Sequence, residues 1–442
     1  MRTEQIHPSG PPWPIIPYSS LDPCPRCGDG SATPVPGRNA PACTIKGCGE
    51  RTAAPDIDPT AHRTSLEAHH EGVEHWLTEL VDDMSDRGYL VDIGALCDAQ
   101  DAAEPGLEAA TAEMVALGIG NPNDPGQVLQ ALEDAGCEFD PRFVNEKGNP
   151  STKNVALGVY AEHQPHLQAL TTAIVTYKVA KQRSDQLRSI DEAIDLGRVH
   201  PTIKPRSSES GRMAMKAPAL MNLRRELRGV LMAQPGHVLV RSDFDTVEWR
   251  VAAALSGDRC LVERIEAGVD VHSALASDVF GPDHTPEQRA LAKKLSFQVL
   301  FGAGVDGVVR ETGLSRREAE RIRTDIWAAY PKIDEQAAFL RRRGTMPTPY
   351  GRLIHAPADA EYKLYNYLVQ GTARDLLVHV LCRLADLGWA DNVWMLLHDE
   401  IILQVPEGDA RAAVDTLNKA MNLDLLGVPV TASAEILGER WR

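Results

Sequence analysis

No apolar run in this 442-residue chain approaches the roughly twenty residues that a membrane-crossing helix requires. The N-terminus also lacks the apolar core of a secretory signal peptide, so the chain is expected to be soluble and cytoplasmic, with no membrane partner. Internal repeats are missing, and the only biased tract is a proline-rich start, which excludes solenoids and fibrous arrays. Excess positive charge is missing too: the formal balance is −16, which would argue against a nucleic-acid partner unless basic residues are gathered locally. Between Lys178 and Arg228 they are, with twelve Lys and Arg against six Asp and Glu. Duplex binding needs such a stripe rather than a basic protein, although the same count fits solvated helix faces.

Cysteine is sparse, yet half of it is concentrated. Cys24-Pro25-Arg26-Cys27 and Cys43-Thr44-Ile45-Lys46-Gly47-Cys48 are two short pairs separated by fifteen residues, the spacing of a four-cysteine zinc ribbon. Residues 1–60 hold twelve of the thirty prolines and show no helical period, so one structural Zn2+ rather than an apolar core is expected to hold this segment. Two disulfides or free thiols are the alternative. Cys97, Cys137, Cys260 and Cys382 read as buried small hydrophobes.

Two segments carry acids where apolar strands end. Leu396-Leu397-His398-Asp399-Glu400-Ile401-Ile402-Leu403 places adjacent carboxylates at the tip between two strand-like runs, where a turn should carry Gly or Asn. Upstream, Val238-Leu239-Val240-Arg241-Ser242-Asp243 follows a Pro235-Gly236 turn and also ends on an acid. Divalent cations would neutralise such a crowd, and two carboxylates from separate strands suit a metal pair for in-line phosphoryl transfer. Taken alone, the hairpin tip reads equally as a solvated turn. Between these segments Arg289, Lys293, Phe297 and Phe301 recur at intervals of four, one drifting helical stripe with two cations above two aromatics. That order fits a triphosphate held by charge beside a stacked base; an amphipathic helix with a basic edge would look the same.

In order and spacing these segments resemble the polymerase domain of family A DNA polymerases, the DNA polymerase I group of bacteria and their phages. The first motif is Asp243-Phe244-Asp245-Thr246-Val247-Glu248-Trp249-Arg250, followed by Gly268-Val269-Asp270-Val271-His272; the second runs from Arg289 to Phe297 and closes with Phe301-Gly302; the third is His398-Asp399-Glu400. Gly211-Arg212, Tyr330-Pro331, Gly351-Arg352, Asn366 and Gln370-Gly371-Thr372-Ala373 are further matches, and the similarity extends from about Glu74 to Arg442. The resemblance implies an α/β (α+β) fold of right-hand architecture: thumb 61–196, palm 197–259 and 345–442, fingers 260–344, after the zinc-ribbon-like segment 1–60. It implies a monomer that extends a primer on a DNA template with dNTPs and two Mg2+ ions. A single-subunit RNA polymerase, or a non-catalytic primer-template-binding replisome component, are the other readings.

The same resemblance assigns roles. Asp243 and Asp399 would hold both Mg2+ ions, with Glu400 tuning them. Arg289 and Lys293 would clamp the triphosphate, Lys293 also protonating pyrophosphate, with His272 near the phosphates. Phe297 would stack on the incoming base, and Glu248 would exclude a ribose 2′-hydroxyl. Arg212, Asn366, Gln370 and His398 would contact DNA, the first three at minor-groove acceptors common to all correct pairs. The chain departs from the family at Phe244, Asp245, Gln298, Tyr362 and Phe301. Asp245 is expected to add an acid near the metals. Phe301, where the family has Tyr, leaves Glu248 without a phenol partner, so a looser gate is expected unless another donor holds it. No 3′-5′ exonuclease motif is found before the thumb, which implies no intrinsic proofreading and leaves that activity to a separate exonuclease or replisome protein.

Overall fold

The computed structural model describes residues 59–442, apart from 145–147 and 342, and of the preceding segment only a two-stranded ladder in which Ala32 faces Cys43 and Thr33 faces Ala42. The expected zinc site at Cys24, Cys27, Cys43 and Cys48 lies outside the described residues, no side chain of that segment being among them.

The described chain is a mixed helix and strand fold organised on a four-stranded antiparallel sheet. Its strand His237–Phe244 lies between Glu400–Pro406 and Ala432–Gly438, and Val393–Leu397 forms the edge beyond Glu400–Pro406. Alternation with period two divides the sheet residues. Val238, Val240, Ser242, Ile401, Leu403 and Val405 are buried, and Ser242 faces Ile401 in the ladder, as Val240 faces Leu403. Arg241, Asp243, Glu400 and Glu435 alternate with them and share the opposite face, where Arg241 and Glu435 pair at 2.6 Å. The helix Ala410–Met421 packs on the sheet through a stripe in which Ala413, Leu417, Ala420 and Met421 are buried.

Behind the sheet runs the helix Leu364–Asp386, apolar nearly all round and packed against Val247–Ser256, Pro331–Leu340 and Ala410–Met421. The sequence text alone suggests a long helix from around Gln370 to Leu387. It starts six residues earlier, because the strand-favouring text Leu364-Tyr365-Asn366-Tyr367 is overridden by burial of Leu364 and Tyr365 in the core.

Residues 260–344 are helical as expected, from Arg259–Glu266 through Pro331–Leu340. So is the N-terminal part, in which the Asn121–Pro125 break ends with Asp124 accepting a bond from the Gly126 N–H and capping Pro125–Asp134. The segment 197–259 is less strand-rich than its text suggests. Short ladders such as Thr202–Lys204 with Ala214–Lys216 alternate with 3-10 turns at Leu220–Asn222 and Arg225–Val230, and His237–Phe244 is its one long strand. Prolines at 201, 205 and 218 interrupt the pairing. Two cysteines expected in the core, Cys97 and Cys260, are exposed, while Cys137 and Cys382 are buried. The chain end is tied to its start: Trp441 is fully buried against Trp394 at 6.1 Å, which meets Tyr89 at 5.2 Å.

Candidate active site

Strand pairing places Asp243 directly opposite Glu400. Leu397 pairs with Glu400 across a turn of two residues, His398 and Asp399, and the Phe244 N–H donates to the Asp399 carbonyl at 3.3 Å. Three acidic residues therefore stand at one end of the sheet. The tip itself is His398-Asp399; Glu400 is not on the tip but begins the returning strand, and only 8% of it is exposed. His398 at φ 50° and Thr246 at φ 48° adopt the left-handed conformation without being glycine. Such strain is held only where the surroundings over-determine it, and here it brackets the carboxylates.

The acids repel one another, with Glu400 buried, Asp399 half-buried and Asp243 at the exposed edge of the group. Burial foremost, then the charges of Asp243 and Glu248, push the Asp399 carboxyl up to about 7. Asp243 and Glu400 are raised as well, in each case chiefly by burial, and Glu400 Oε1 is buried without a hydrogen-bond partner. A divalent cation beside Asp243 and Asp399 would relieve their mutual repulsion, so this pair of donors fits one. No group of three or more metal-ligating side chains gathers among the described residues. Asp243 and Asp399 remain adequate for Mg2+, which takes one or two carboxylates and leaves its other positions to water and phosphate. Asp245, the extra acid, is engaged elsewhere: Thr431 Oγ1 donates to its carboxylate at 2.8 Å, and its own N–H donates to the Thr431 carbonyl at 2.8 Å. Its charge still contributes to raising Asp243.

Glu248 stands in the first turn of the helix Val247–Ser256 and is not without a donor. Arg212 Nη2 donates to its Oε1 at 2.9 Å in a half-buried pair. The guanidinium thus gives Glu248 the donor that Phe301 cannot.

A second cluster forms on the helix Pro286–Leu300, whose start is fixed by Pro286 and by a reciprocal Thr285–Gln288 capping box. Arg289 is held by Asp270, with Nη2 to Oδ2 at 2.6 Å, and by Ser273 Oγ at 2.8 Å from Nε. Burial opposes ionisation of Asp270, yet hydrogen bonds from Ser273 and Arg289 hold its carboxyl down at about 2. Lys293 is exposed, and its ammonium has no ion-pair partner among the described residues. Phe297 makes tilted ring contacts with His272 at 5.4 Å and Phe301 at 5.9 Å. Phe301 is the residue after the helix rather than part of it. His272 is 2% exposed, both ring nitrogens lack partners, and burial followed by Lys293 lowers it to about 4. The ring is enclosed, with Phe297 beside it.

Asn366 and Gln370 lie one turn apart on one face of Leu364–Asp386, with exposed Tyr362 a turn before them, and Asn366 Oδ1 is buried without a partner. Among the described residues no hydrogen bond or ion pair joins the helix cluster to the carboxylate cluster. Two residues escaped sequence reasoning in part. Asp270 reads as a helix cap, which it is, accepting from Ser273 N–H at 3.0 Å; that it also restrains Arg289 needs the fold. Arg352, which the sequence offers only as part of a family match, proves to be buried.

Comparison with known proteins agrees with this geometry. The family model described as DNA polymerase family A matches residues 100–442. The DNA polymerase of Mycobacterium phage D29 is 27% identical over 388 residues, covering 83% of this chain and 62% of that protein. DNA polymerase I of Chloroflexus aurantiacus is 30% identical over 351 residues, covering 72% of this chain and 37% of that protein. The chain thus spans between about a third and two thirds of these relatives' lengths. Among solved structures, the POL domain of Pol1 from M. smegmatis, in complex with DNA primer-template and dNTP, has the same fold, with a TM-score of 0.73 at 22% identity over 81% of this chain and 68% of that one.

Proposed function

The chain belongs to DNA polymerase family A, and from that membership we propose that it is a DNA-templated DNA polymerase that adds dNTPs to a primer 3′ end. In this reading the sheet and the helices Val247–Ser256, Leu364–Asp386 and Ala410–Met421 are the palm, 260–344 the fingers and 61–196 the thumb. The observation that carries it is the set of three carboxylates, Asp243, Asp399 and Glu400, raised together by burial at one end of the sheet beside an Arg-paired Glu248.

Two Mg2+ ions are the cofactors the reading calls for: Asp243 and Asp399 would hold them, and their charge would favour the attacking and departing oxygens alike. The primer 3′-hydroxyl releases its proton to water, and its oxygen forms a bond to the α-phosphorus as the bond from that phosphorus to the α–β bridging oxygen breaks and pyrophosphate leaves. Lys293, exposed and without an ion-pair partner among the described residues, meets the triphosphate and returns a proton to the leaving group. Arg289 must slide from Asp270 toward the phosphates, or share itself between them. Phe297 offers an aromatic face to the incoming base. Glu248, fixed by Arg212, fills the space of a 2′-hydroxyl and selects deoxyribose. Asn366 and Gln370 present amides to the minor groove, where every correct pair has an acceptor, and His398 lies beside the primer end.

Extension of a labelled primer-template with Mg2+ and either dNTPs or NTPs tests this. Templated extension with dNTPs in clear preference supports it. Preference for NTPs would make the protein an RNA polymerase, and binding without extension a replisome component.

A further inference from the structure

Away from the carboxylates lies a second set of charges with almost no exposure: Arg352 at 4%, Arg374 at 3% and Asp375 at 0%. Arg352 Nε donates to Asp375 Oδ1 at 2.8 Å, and its Nη2 donates at 2.9 Å to two carbonyls at once, those of Ser210 and Gly371. The other Asp375 oxygen accepts from Thr348 Oγ1 at 2.8 Å, and the Arg352 N–H donates to the same hydroxyl at 3.3 Å. The guanidinium fits because both its neighbours are glycine. A Cβ on Gly211, itself at φ +83°, would stand 2.6 Å from Nη1, and one on Gly371 would stand 2.8 Å from Nη2.

The two carbonyls belong to segments that carry proposed DNA contacts. Gly371 follows Gln370. Ser210 lies in a turn closed by Ser207 N–H to the Arg212 carbonyl at 2.9 Å and by Arg212 N–H to Ser208 Oγ at 3.1 Å, so the backbone of Arg212 moves with that of Ser210. Arg212 in turn holds Glu248. Buried ion pairs are seldom more stable than an apolar plug of the same volume. What a plug cannot provide is two directed donors on one nitrogen, tying a turn to a helix.

We propose that Arg352 is a positioning residue: it clamps the 207–212 turn to the helix Leu364–Asp386, sets the separation of Arg212 from Gln370, and thereby governs discrimination at the primer terminus. This rests on the polymerase reading above. The test uses the full chain and measures extension of a matched and of a mismatched primer end, because the ratio of the two rates does not depend on the folded fraction. Arg352→Lys keeps the charge and can reach Asp375, but not both carbonyls. Thr348→Val keeps the volume, removes only the hydroxyl that steadies Asp375, and serves if the lysine variant does not fold. The matched-to-mismatched ratio falls about tenfold in Arg352→Lys and about threefold in Thr348→Val, and Arg352→Lys adds no further fall in an Arg212→Ala background. A ratio within about twofold of wild type in the variants that fold, or a fall that persists undiminished without Arg212, makes the network merely structural and overturns the proposal. Lack of any extension by the wild type would instead overturn the polymerase reading.

Discussion

Asp399 occupies a position that only a proton or a cation makes comfortable. Its carboxyl is raised to about 7 by burial and by Asp243 and Glu248, so the folded state binds a proton that the unfolded chain releases near 4. Stability from this group is therefore retained at low pH and lost as pH rises from about 4 through 7. Without metal, Asp399→Asn should stabilise the protein at pH 8 by on the order of a few kcal/mol, with the gain shrinking toward pH 4. Thermal melts in EDTA across that range check it, and added Mg2+ should raise the wild-type Tm at pH 8 more than the variant's. Nearby, Glu248 already has its donor in Arg212. Phe301→Tyr is then expected to change dNTP-over-rNTP selectivity by less than about twofold, whereas Arg212→Ala lowers it about tenfold. Competition assays with a single template base distinguish these outcomes.

At the scale of elements, the acidic hairpin and the strand ending in Asp243 were legible because apolar runs bounded by turn residues reveal themselves locally. Their register was not: Asp243 faces Glu400 through pairing of residues far apart in the chain, which no local pattern encodes. The basic and aromatic stripe was legible from its period, but its restraint by Asp270 depends on a neighbouring helix. The sequence leaves Glu248 without a phenol partner and does not reveal its donor, because Arg212 belongs to another segment. Arg352 was hidden for a related reason: Gly351-Arg352 has the text of a surface turn, and only the packing of Leu364–Asp386 encloses it. That helix carries its ion pairs on its buried side, Asp375 with Arg352 and Arg374 with Glu74. Asp375→Ala, which leaves Arg352 buried without its counter-ion, should cost about 3–5 kcal/mol in urea unfolding. A loss below about 1 kcal/mol would show that water or a neighbour compensates the guanidinium.

For the molecule as a whole, a net charge of −16 coexists with a proposed duplex-binding role because the carboxylates at the sheet end are designed to meet cations while basic residues gather between Lys178 and Arg228. Binding of primer-template should accordingly weaken steeply with salt. For the N-terminal segment, one Zn2+ per chain is expected by metal analysis of protein purified under reducing conditions, lost in a Cys24→Ser, Cys43→Ser variant that is expected still to extend simple primers. Protein free of zinc would remove the ribbon from the account. The most direct measurement is single-turnover primer extension by the wild type and by Asp243→Asn, with primer-template affinity determined in parallel. Catalysis through the sheet-end carboxylates requires extension to fall at least about a hundredfold while affinity stays within about threefold. An Asp243→Asn enzyme that extends primers at a rate near the wild type would contradict it.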